Sequence, residues 1–372
     1  MMKFRMAAPC HFGLEKTLSF EVKRIGGENV EVTDGRVCFT GDALVCAKAN
    51  VFLSTAERVS MVLGKFRAET FDELFEGIKK LELAEFIGKN DAFPNNGHSL
   101  NSKLTSIPAI QKIVKKAMAV NLGAAYGVNK LPETGAVCQI RFSIMKNECT
   151  LMLDTSGDGL HKRGYRAVGN AAPIRETLAA GIVDLARVRG NDVVCDPFCG
   201  SGTMLIESAL RALNIAPGVN RRFAGERMKF LPESAWKKAR EEARSLEKRD
   251  VDFQAVGYDV DPECVKLTLD NARKAGVADF VTAKRRDIRE WSNDGEAVKI
   301  LTNPPYGERM LDAEQARALY QVMGEKMLPL GLNQLYVITP DEEFEDYFGK
   351  KADKNRKLYN GMIKCRLYSY YK

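Results

Sequence analysis

The chain has 372 residues, of which 45% are hydrophobic and 28% charged, a composition ordinary for a globular protein of two or three units. No segment reaches the ~18 consecutive apolar residues of a membrane span, and the N-terminus lacks a signal-peptide core, so we expect no membrane partner and a cytoplasmic location. The nine cysteines favour a reducing compartment, and with three histidines they lack the spacing of a metal site, so no metal is expected.

The net charge of +7 is unevenly distributed along the chain. Residues 1–97 carry 13 basic and 14 acidic residues, whereas residues 98–146 carry seven basic residues against one acidic residue. A second basic region, residues 210–250, has 11 basic and six acidic residues. Two such concentrations indicate contact with a nucleic acid, although solvated helix faces would give the same counts.

The first part of the chain is predicted to be an α+β region. Its predicted strands are residues 3–7, 30–33, 36–39, 139–145 and 148–154. Its predicted helices are residues 13–21, 71–79, 81–87 and 106–122, while residues 95–99 have the composition of a loop. In helix 106–122 the apolar residues form one stripe, and Lys112, Lys115 and Lys116 fall largely on the other face.

From about residue 170 strands and helices alternate. The predicted strands are residues 192–195, 254–259, 280–284, 299–302, 334–339, 357–359 and 362–370. The predicted helices are residues 174–186, 203–213, 263–275 and 313–328. This alternation predicts a doubly wound, mostly parallel sheet. The dipeptide Asn360-Gly361 predicts a hairpin, so we expect the sheet to end in an antiparallel edge.

A glycine-containing turn, Asp196-Pro-Phe-Cys-Gly-Ser-Gly-Thr203, joins the first strand of this sheet to its first helix. Gly200 and Gly202 let the backbone approach a ligand, and the helix N-terminus favours a carboxylate. The turn has neither the Gly-Lys-Ser/Thr of a phosphate loop nor the GxGxxG of a dinucleotide site. Asp196 at the strand end is suited to an ammonium group.

Two further acids follow the next strands. Asp259 can accept hydrogen bonds from both hydroxyls of a ribose, while Asp261 is more simply explained as a helix N-cap. Asp287 can accept a hydrogen bond from an adenine amine, although a surface ion pair with Arg285 or Arg286 explains it nearly as well. A ligand with an amino-acid end, a ribose and an adenine is S-adenosyl-L-methionine.

The tetrapeptide Asn303-Pro304-Pro305-Tyr306 follows the apolar run 298–301. It is suited to methylating a conjugated amine, whose two N–H bonds must be held so that the nitrogen lone pair faces the methyl donor. The Asn303 side-chain carbonyl and the Pro304 main-chain carbonyl can be the two acceptors. Tyr306 can stack on a planar substrate. A Pro-Pro turn closing a strand is the plain structural alternative.

These motifs together resemble the THUMP-domain class I methyltransferases that form N2-methylguanosine in RNA. Residues 8–15, 101–106 and 153–166 resemble the N-terminal half of that family. Within the family, the chain resembles the bacterial form that has a single methyltransferase domain. That form is similar to the N-terminal half of the two-activity enzyme that acts on large-subunit ribosomal RNA. The resemblance implies a seven-stranded methyltransferase sheet preceded by a ferredoxin-like and THUMP region. The expected boundaries are 1–43 (ferredoxin-like start), 44–155 (THUMP), 156–169 (linker) and 170–372 (methyltransferase domain).

The resemblance also implies roles for individual residues. Those expected to hold the target amine are Asn303, Pro304, Pro305 and Tyr306. Those expected to contact S-adenosyl-L-methionine are Asp196, Phe198, Gly200, Gly202, Thr203, Asp259, Asp287 and Glu176, with residues 170–176 closing the pocket. Those expected to contact RNA are Lys103, Lys112, Lys115, Lys116, Lys162 and Arg163.

Several alternatives remain open at this stage. The RNA partner can be ribosomal RNA, a precursor ribosomal particle or transfer RNA, and the sequence sets no oligomeric state. An adenine or glutamine N-methyltransferase would use the same tetrapeptide, although an RNA-binding half argues against both. An RNA-binding assembly factor with a non-catalytic methyltransferase fold is the alternative of a different class.

Overall fold

The computed structural model describes residues 2–166, 174–292, 298–306, 313–330 and 334–371. This part of the chain contains two seven-stranded sheets flanked by helices, which confirms the predicted α/β fold with an N-terminal α+β region. Among the described helices, none combines the length and the apolar composition needed to cross a bilayer.

The N-terminal sheet has the strand order β2-β3-β1-β4-β7-β6-β5. Its strands are β1 (Phe4–Pro9), β2 (Glu28–Thr33), β3 (Arg36–Gly41), β4 (Ser60–Arg67), β5 (Asn95–Leu100), β6 (Ile140–Met145) and β7 (Glu148–Asp154). Its helices are α1 (Glu15–Arg24), α2 (Ala43–Phe52), α3 (Phe71–Lys79) and α4 (Ile107–Tyr126). Neighbouring strands are antiparallel except β5 and β6, which run parallel.

Four elements of the N-terminal half differ from the sequence-based prediction. The loop predicted at residues 95–99 is strand β5, which gains its hydrogen bonds by pairing with β6. Helix α2 and strand β4 were not predicted; α2 begins where Asp42 accepts a hydrogen bond from the backbone of Val45 at 3.0 Å. The helix predicted at residues 81–87 is a single 3-10 turn, Leu83–Glu85.

The C-terminal sheet has the strand order β10-β9-β8-β11-β12-β14-β13. Its strands are β8 (Val193–Asp196), β9 (Gln254–Asp259), β10 (Val281–Arg285), β11 (Val298–Thr302), β12 (Gln334–Thr339), β13 (Lys354–Asn360) and β14 (Ile363–Tyr370). Its helices are α5 (Glu176–Leu185), α6 (Thr203–Ala212), α7 (Glu233–Ser245), α8 (Pro262–Lys274), α9 (Ala313–Met327) and α10 (Phe344–Phe348). The first five strands in this order are parallel, and β14 and β13 form the predicted antiparallel edge.

The turn of this edge hairpin lies one residue later than the Asn360-Gly361 dipeptide predicts. Asn360 is the last residue of β13 and pairs with Ile363, so the two turn residues are Gly361 and Met362. Gly361 has a φ of 64°, the left-handed conformation for which glycine is favoured.

The basic region 210–250 is largely a joint between the two halves of the protein. Its helix α7 packs on α2, and Trp236 is buried in the core of the N-terminal half. Lys48 of α2 lies 2.6 Å from Glu242 of α7. The apolar face of α7 is therefore covered by protein. Only the charged side chains on its outer face can contact a partner.

A second joint is formed by the residues that follow β7. Arg163 lies with Nε and Nη2 each 3.3 Å from the Glu207 carboxylate of α6, and it donates to the Ser54 carbonyl at 2.6 Å. The Tyr165 hydroxyl donates to Glu207 at 3.0 Å. Burial opposes the charge of Arg163, but the neighbouring groups, Glu207 foremost, together raise the pKa of Arg163, which stays cationic. Burial also raises the pKa of the Glu207 carboxyl, and its contacts with Arg163 and Tyr165 counteract that rise. This buried cluster fixes the start of the C-terminal half against the N-terminal half.

A third joint centres on Glu57 of the N-terminal half. Its carboxylate lies 3.1 Å from His11 and 3.0 Å from Arg175, and it accepts a short hydrogen bond from Thr177 of α5. His161 lies 3.5 Å away. Burial opposes the charge, but these hydrogen bonds hold the pKa of the Glu57 carboxyl below its usual range. The N-terminal half is thus tied directly to the start of α5.

Candidate active site

The polar residues singled out in the sequence gather at one edge of the C-terminal sheet. Asp196 ends β8 and Asp259 ends β9, while Asn303 directly follows β11. These three strands are adjacent and parallel, so their carboxyl ends meet at the same edge. Ligands of doubly wound sheets bind at this edge.

The loop between β8 and α6 brings its backbone to the surface of this edge. Gly200 and Gly202 have φ angles of 52° and 76°, which favour glycine. A Cβ on Gly202 would lie 2.7 Å from the Thr268 side chain, so no other residue fits there without movement. The space that a Gly200 side chain would take is open, which leaves room for a ligand next to the backbone.

Asp196 is a buried carboxyl group that links the loop to the tetrapeptide. Its Oδ1 accepts hydrogen bonds from the Thr302 hydroxyl at 2.7 Å and from the Phe198 backbone N–H at 3.1 Å. Burial, with a smaller contribution from the nearby Asp259 carboxylate, raises the pKa of Asp196 to about 7. Such a group gains from a cationic or hydrogen-bond-donating ligand, because that ligand would offset the cost of its charge.

Asp259 holds the glycine loop from the neighbouring strand. Its Oδ2 accepts a hydrogen bond from the Gly200 backbone at 3.0 Å, and its Oδ1 accepts one from the Asp261 backbone at 3.0 Å. Asp261 caps α8 by accepting from the backbone of Glu263 at 2.9 Å, which confirms its capping assignment. The intervening Val260 is 56% exposed and was missed in the sequence, although an apolar residue between two acids at a strand end suits the face of a planar ring.

Asp287 follows β10 at the same edge. Its Oδ1 accepts from the Arg289 backbone at 2.8 Å, and its Oδ2 lies 2.9 Å from the Arg289 guanidinium. Its ion-pair partner is thus Arg289, not Arg285 or Arg286 as the sequence suggested. About a third of the side chain remains exposed, so the carboxylate can still accept a hydrogen bond from a ligand.

Glu176 and Thr203 lie behind the glycine loop and are joined by Arg166. The Arg166 Nη2 donates to the Thr203 hydroxyl at 2.6 Å and to the Ile174 carbonyl at 2.7 Å, while its Nε lies 3.4 Å from Glu176. Arg166 belongs to the segment 153–166 that resembles the N-terminal half of the family, but no local pattern predicted this role. Of the segment predicted to close the pocket, residues 170–173 lie outside the described residues.

Asn303 carries an unusual buried acceptor. Its Oδ1 is shielded from solvent and has no hydrogen-bond partner among the residues that the structure describes. Leaving a buried acceptor unpaired costs about 1–3 kcal/mol, so most native structures avoid it. Pro304 is buried and Pro305 half-buried directly after it. An amine N–H entering this site would satisfy the Asn303 carbonyl.

Tyr306 is held by the edge hairpin. Its hydroxyl accepts a hydrogen bond from the Asn360 side chain at 3.2 Å. Burial raises the pKa of Tyr306 to about 12, so the ring stays neutral at physiological pH. Asn360 was predicted only as a turn residue, because nothing in the local sequence shows that the hairpin reaches the tetrapeptide.

The residues predicted to contact RNA fall into two groups. Lys112 and Lys116 are exposed one turn apart on α4. Lys115 is instead drawn inward, with Nζ 2.6 Å from Glu133 and 3.5 Å from the centre of the Phe93 ring.

Lys103 and Lys162 are exposed, and each is paired with an acid: Lys103 with the half-buried Glu69 and Lys162 with the exposed Asp158. The structure corrects the prediction for Arg163, whose side chain is 2% exposed. Its guanidinium is buried against the Glu207 carboxylate and the carbonyls of Ser54 and Leu160, so an RNA phosphate cannot reach it. Within the described ranges no three histidine, cysteine or acidic side chains form a group that could hold a metal.

Comparisons with known proteins assign a family to each region of the chain. The UPF0020 family profile, an RMKL-like methyltransferase domain, matches residues 163–369. The profile of the RlmL ferredoxin-like domain matches residues 5–60, and that of the THUMP domain matches residues 68–154.

Individual relatives cover the whole chain. The protein YpsC of Bacillus subtilis strain 168, named as a candidate RNA methyltransferase, is 40% identical over 100% of this chain and 97% of its own length. The ribosomal RNA large subunit methyltransferase K/L of Syntrophotalea carbinolica is 32% identical over 99% of this chain. The chain spans only about half of that protein, 53% of its length.

A similar solved structure contains a bound ligand. SMU.472, named as a candidate methyltransferase and crystallised with SAH, superposes with a TM-score of 0.94 at 37% identity, covering 100% of this chain and 98% of that one. S-adenosyl-L-methionine is therefore the cofactor. The residues described above fit it, because Asp196 needs a donor, Asp259 and the open side of Gly200 border the same space, and Val260 offers an apolar face.

Proposed function

Because the chain belongs to the RMKL-like methyltransferase family, we propose that it methylates the N2 amine of a guanine in RNA, in large-subunit ribosomal RNA. That it is an S-adenosylmethionine-dependent RNA methyltransferase follows from the family and from the THUMP domain. The proposal concerns which base is methylated and in which RNA.

The observation that carries the proposal is the unpaired Oδ1 of Asn303. A guanine N2 amine has two N–H donors, and its lone pair is delocalised into the ring. Accepting one N–H at Asn303 and the other at the Pro304 carbonyl turns the nitrogen so that its lone pair faces the methyl donor. Fixing this orientation is the main contribution that the protein makes to the rate.

The remaining residues place the base. Tyr306, held by Asn360, offers a neutral ring on which a flipped guanine can stack. Extruding the base costs a few kcal/mol, which this stacking partly offsets. When bound, S-adenosylmethionine supplies the methyl group. The attacked nitrogen becomes acidic as its new bond to carbon forms, so its proton can leave to water without a strong base.

The choice of RNA rests on the relatives. The K/L proteins, as their name states, act on the large ribosomal subunit RNA, and about half of their length corresponds to this chain. Transfer RNA is the alternative substrate for the same chemistry. Adenine methylation and a non-catalytic role in ribosome assembly are the competing functions, and one experiment separates all four.

The experiment is nucleoside mass spectrometry of large ribosomal, small ribosomal and transfer RNA from cells lacking the gene, complemented with wild type or Asn303→Ala. We expect N2-methylguanosine to disappear from the large ribosomal fraction and to return with wild type only. In vitro, Asn303→Ala should lower kcat by about 10²- to 10³-fold, as removal of an oriented hydrogen-bonding group does in other enzymes. Affinity for S-adenosylmethionine should stay within about twofold, and the exposed Asn355→Ala is the matched control.

The other outcomes are equally informative. Loss of N2-methylguanosine from transfer RNA would support the same reaction with transfer RNA as the substrate. Loss of N6-methyladenosine instead overturns the guanine assignment. If no nucleoside changes and Asn303→Ala restores every cellular phenotype, the assembly-factor role replaces catalysis.

A further inference from the structure

The tip of the β13–β14 hairpin carries an apolar side chain that nothing in the described protein covers. Met362 is 97% exposed, more than any other large hydrophobic residue in the described part of the chain, and the next residue, Ile363, is 46% exposed. Placing a methionine fully in water gives up the stabilisation that its burial would provide. A side chain of this kind therefore calls for an explanation by function.

The turn itself does not require a methionine. The left-handed conformation is supplied by Gly361, with a φ of 64°, and the hairpin is closed by the pairing of Asn360 with Ile363. The second turn position is open to polar residues, which dominate in such turns. Met362 is thus neither a turn-forming residue nor a core residue.

The tip is tied to the catalytic tetrapeptide. Asn360, two residues before Met362, donates its side-chain hydrogen bond to the Tyr306 hydroxyl at 3.2 Å. Immediately behind it, Leu358 and Cys365 face each other across the hairpin and are buried in the core. The position of the tip is therefore fixed relative to the ring of Tyr306.

The part of β13 directly before the tip adjoins an exposed aromatic and basic surface. Phe12 is 53% exposed and lies 5.8 Å from the ring centre of Tyr359, while the Lys357 ammonium lies 5.3 Å from that ring. Arg356 donates to the Gly13 carbonyl at 2.8 Å, which holds the Phe12 loop against β13. Exposed rings next to a cation are the features with which proteins hold single-stranded RNA.

We propose that Met362 enters the base stack beside the target guanine as that base leaves it, and that Phe12, Tyr359 and Lys357 hold the adjoining strand. Apolar side chains inserted between bases serve this purpose in other nucleic-acid-binding proteins. The inference rests on the proposed function, since it deepens the account of the same site. It makes Met362 a positioning residue, because it acts on the neighbours of the reacting base.

The test uses two synthetic RNAs that span the methylated guanine, which is first located by mass spectrometry of nuclease fragments from the RNA fraction that loses N2-methylguanosine. In the first RNA the target guanine is paired within a helix. In the second RNA the same guanine lies opposite an abasic position, so its extrusion is already easy. Methyl transfer from tritiated S-adenosylmethionine is measured on both with the full-length protein.

We expect Met362→Ala to lower kcat/KM about tenfold on the paired RNA and less than about twofold on the abasic RNA. Met362→Leu, which keeps an apolar wedge, should restore the paired activity to within about threefold of wild type. Leu246→Ala, at the exposed apolar residue that directly follows α7, is the matched control and should have no effect on either RNA. Affinity for S-adenosylmethionine should be unchanged in all three variants.

Two results would contradict the proposal that Met362 enters the base stack. One is an equal loss, or no loss, on both RNAs with Met362→Ala. The other is a change of oligomeric state by light scattering, which would make the tip a contact between copies. Failure of the proposed function has a separate signature, since wild type itself would then transfer no methyl group to guanine in either RNA.

Discussion

The two sheets of this protein treat their buried carboxyl groups differently. In the N-terminal sheet, the fully buried Asp154 at the end of β7 lies 2.7 Å from Arg58 and 2.9 Å from Arg141. In the C-terminal sheet, the equally buried Asp196 at the end of β8 receives a hydroxyl and a backbone N–H, and no cation within the described residues lies in ion-pair contact with it. One carboxylate is fully compensated by the fold, and the other is left to be compensated by a ligand.

The difference follows from topology. Parallel strands bring their carboxyl ends, and the residues after them, to one edge, so Asp196, Asp259 and Asn303 converge. The antiparallel strands of the first sheet end alternately at opposite edges, so their polar residues are spread out and paired locally. Buried groups without a charge partner cluster at functional sites. The comparison therefore marks the edge with Asp196 as the place where, among the described residues, a stabilising ion pair is absent and a ligand can bind.

The largest effect is expected from removing the buried Arg163–Glu207 contact that joins the two halves. Arg163→Ala should destabilise the protein by about 3–5 kcal/mol, because it leaves the buried Glu207 carboxylate without its cation. Urea unfolding monitored by tryptophan fluorescence measures this change. Lys162→Ala, one residue away and exposed, should cost under about 0.5 kcal/mol. Equal costs for both variants would contradict the distinction between the two positions.

The next effect concerns the uncompensated carboxyl, Asp196. Its folded-state pKa of about 7 lies above the ordinary value near 3.8, so between these pH values the folded protein holds a proton that the unfolded chain has lost. Its contribution to stability therefore falls as pH rises through this window. Asn keeps the acceptor for Thr302 and cannot ionise, so Asp196→Asn should stabilise the free protein by about 1–3 kcal/mol at pH 8.

Thermal unfolding from pH 5 to 8 checks this prediction, with the exposed Asp279→Asn as the control. The advantage of Asp196→Asn should shrink toward pH 5. The same variant should bind S-adenosylmethionine more weakly, measured by calorimetry, because the donor groups of the cofactor lose an anionic partner. A variant that is less stable than wild type at pH 8 would show that Asp196 is compensated after all.

The smallest effect is expected on the outer face of the N-terminal half. Lys112→Glu with Lys116→Glu should weaken RNA binding about three- to tenfold and reduce its salt dependence, because two phosphate contacts are lost. Filter binding of ribosomal RNA between 50 and 200 mM salt measures both quantities. Lys266→Glu with Lys274→Glu on α8 reverses the same number of exposed charges and controls for net charge. An equal loss in both double variants would remove α4 from the RNA interface.

The sequence by itself determined most of the C-terminal half. Strands such as Gln254–Asp259 and Gln334–Thr339 were predicted to the residue, because their apolar runs and flanking turns are local features. The glycine loop and the tetrapeptide were found in the same way, since their chemistry lies within a few consecutive residues. The resemblance carried by these motifs also gave the family and the cofactor.

Tertiary structure alone decided the features that depend on distant partners. The segment Asn95–Leu100 forms a strand because β6 pairs with it, not through its own polar composition. Arg163 is a buried ion-pair member and Lys115 is drawn inward because Glu207 and Glu133 lie beside them in the fold. Asn360 reaches Tyr306 across 54 residues of sequence. Such contacts arise when remote segments pack together, and that packing leaves no local pattern from which they could be predicted.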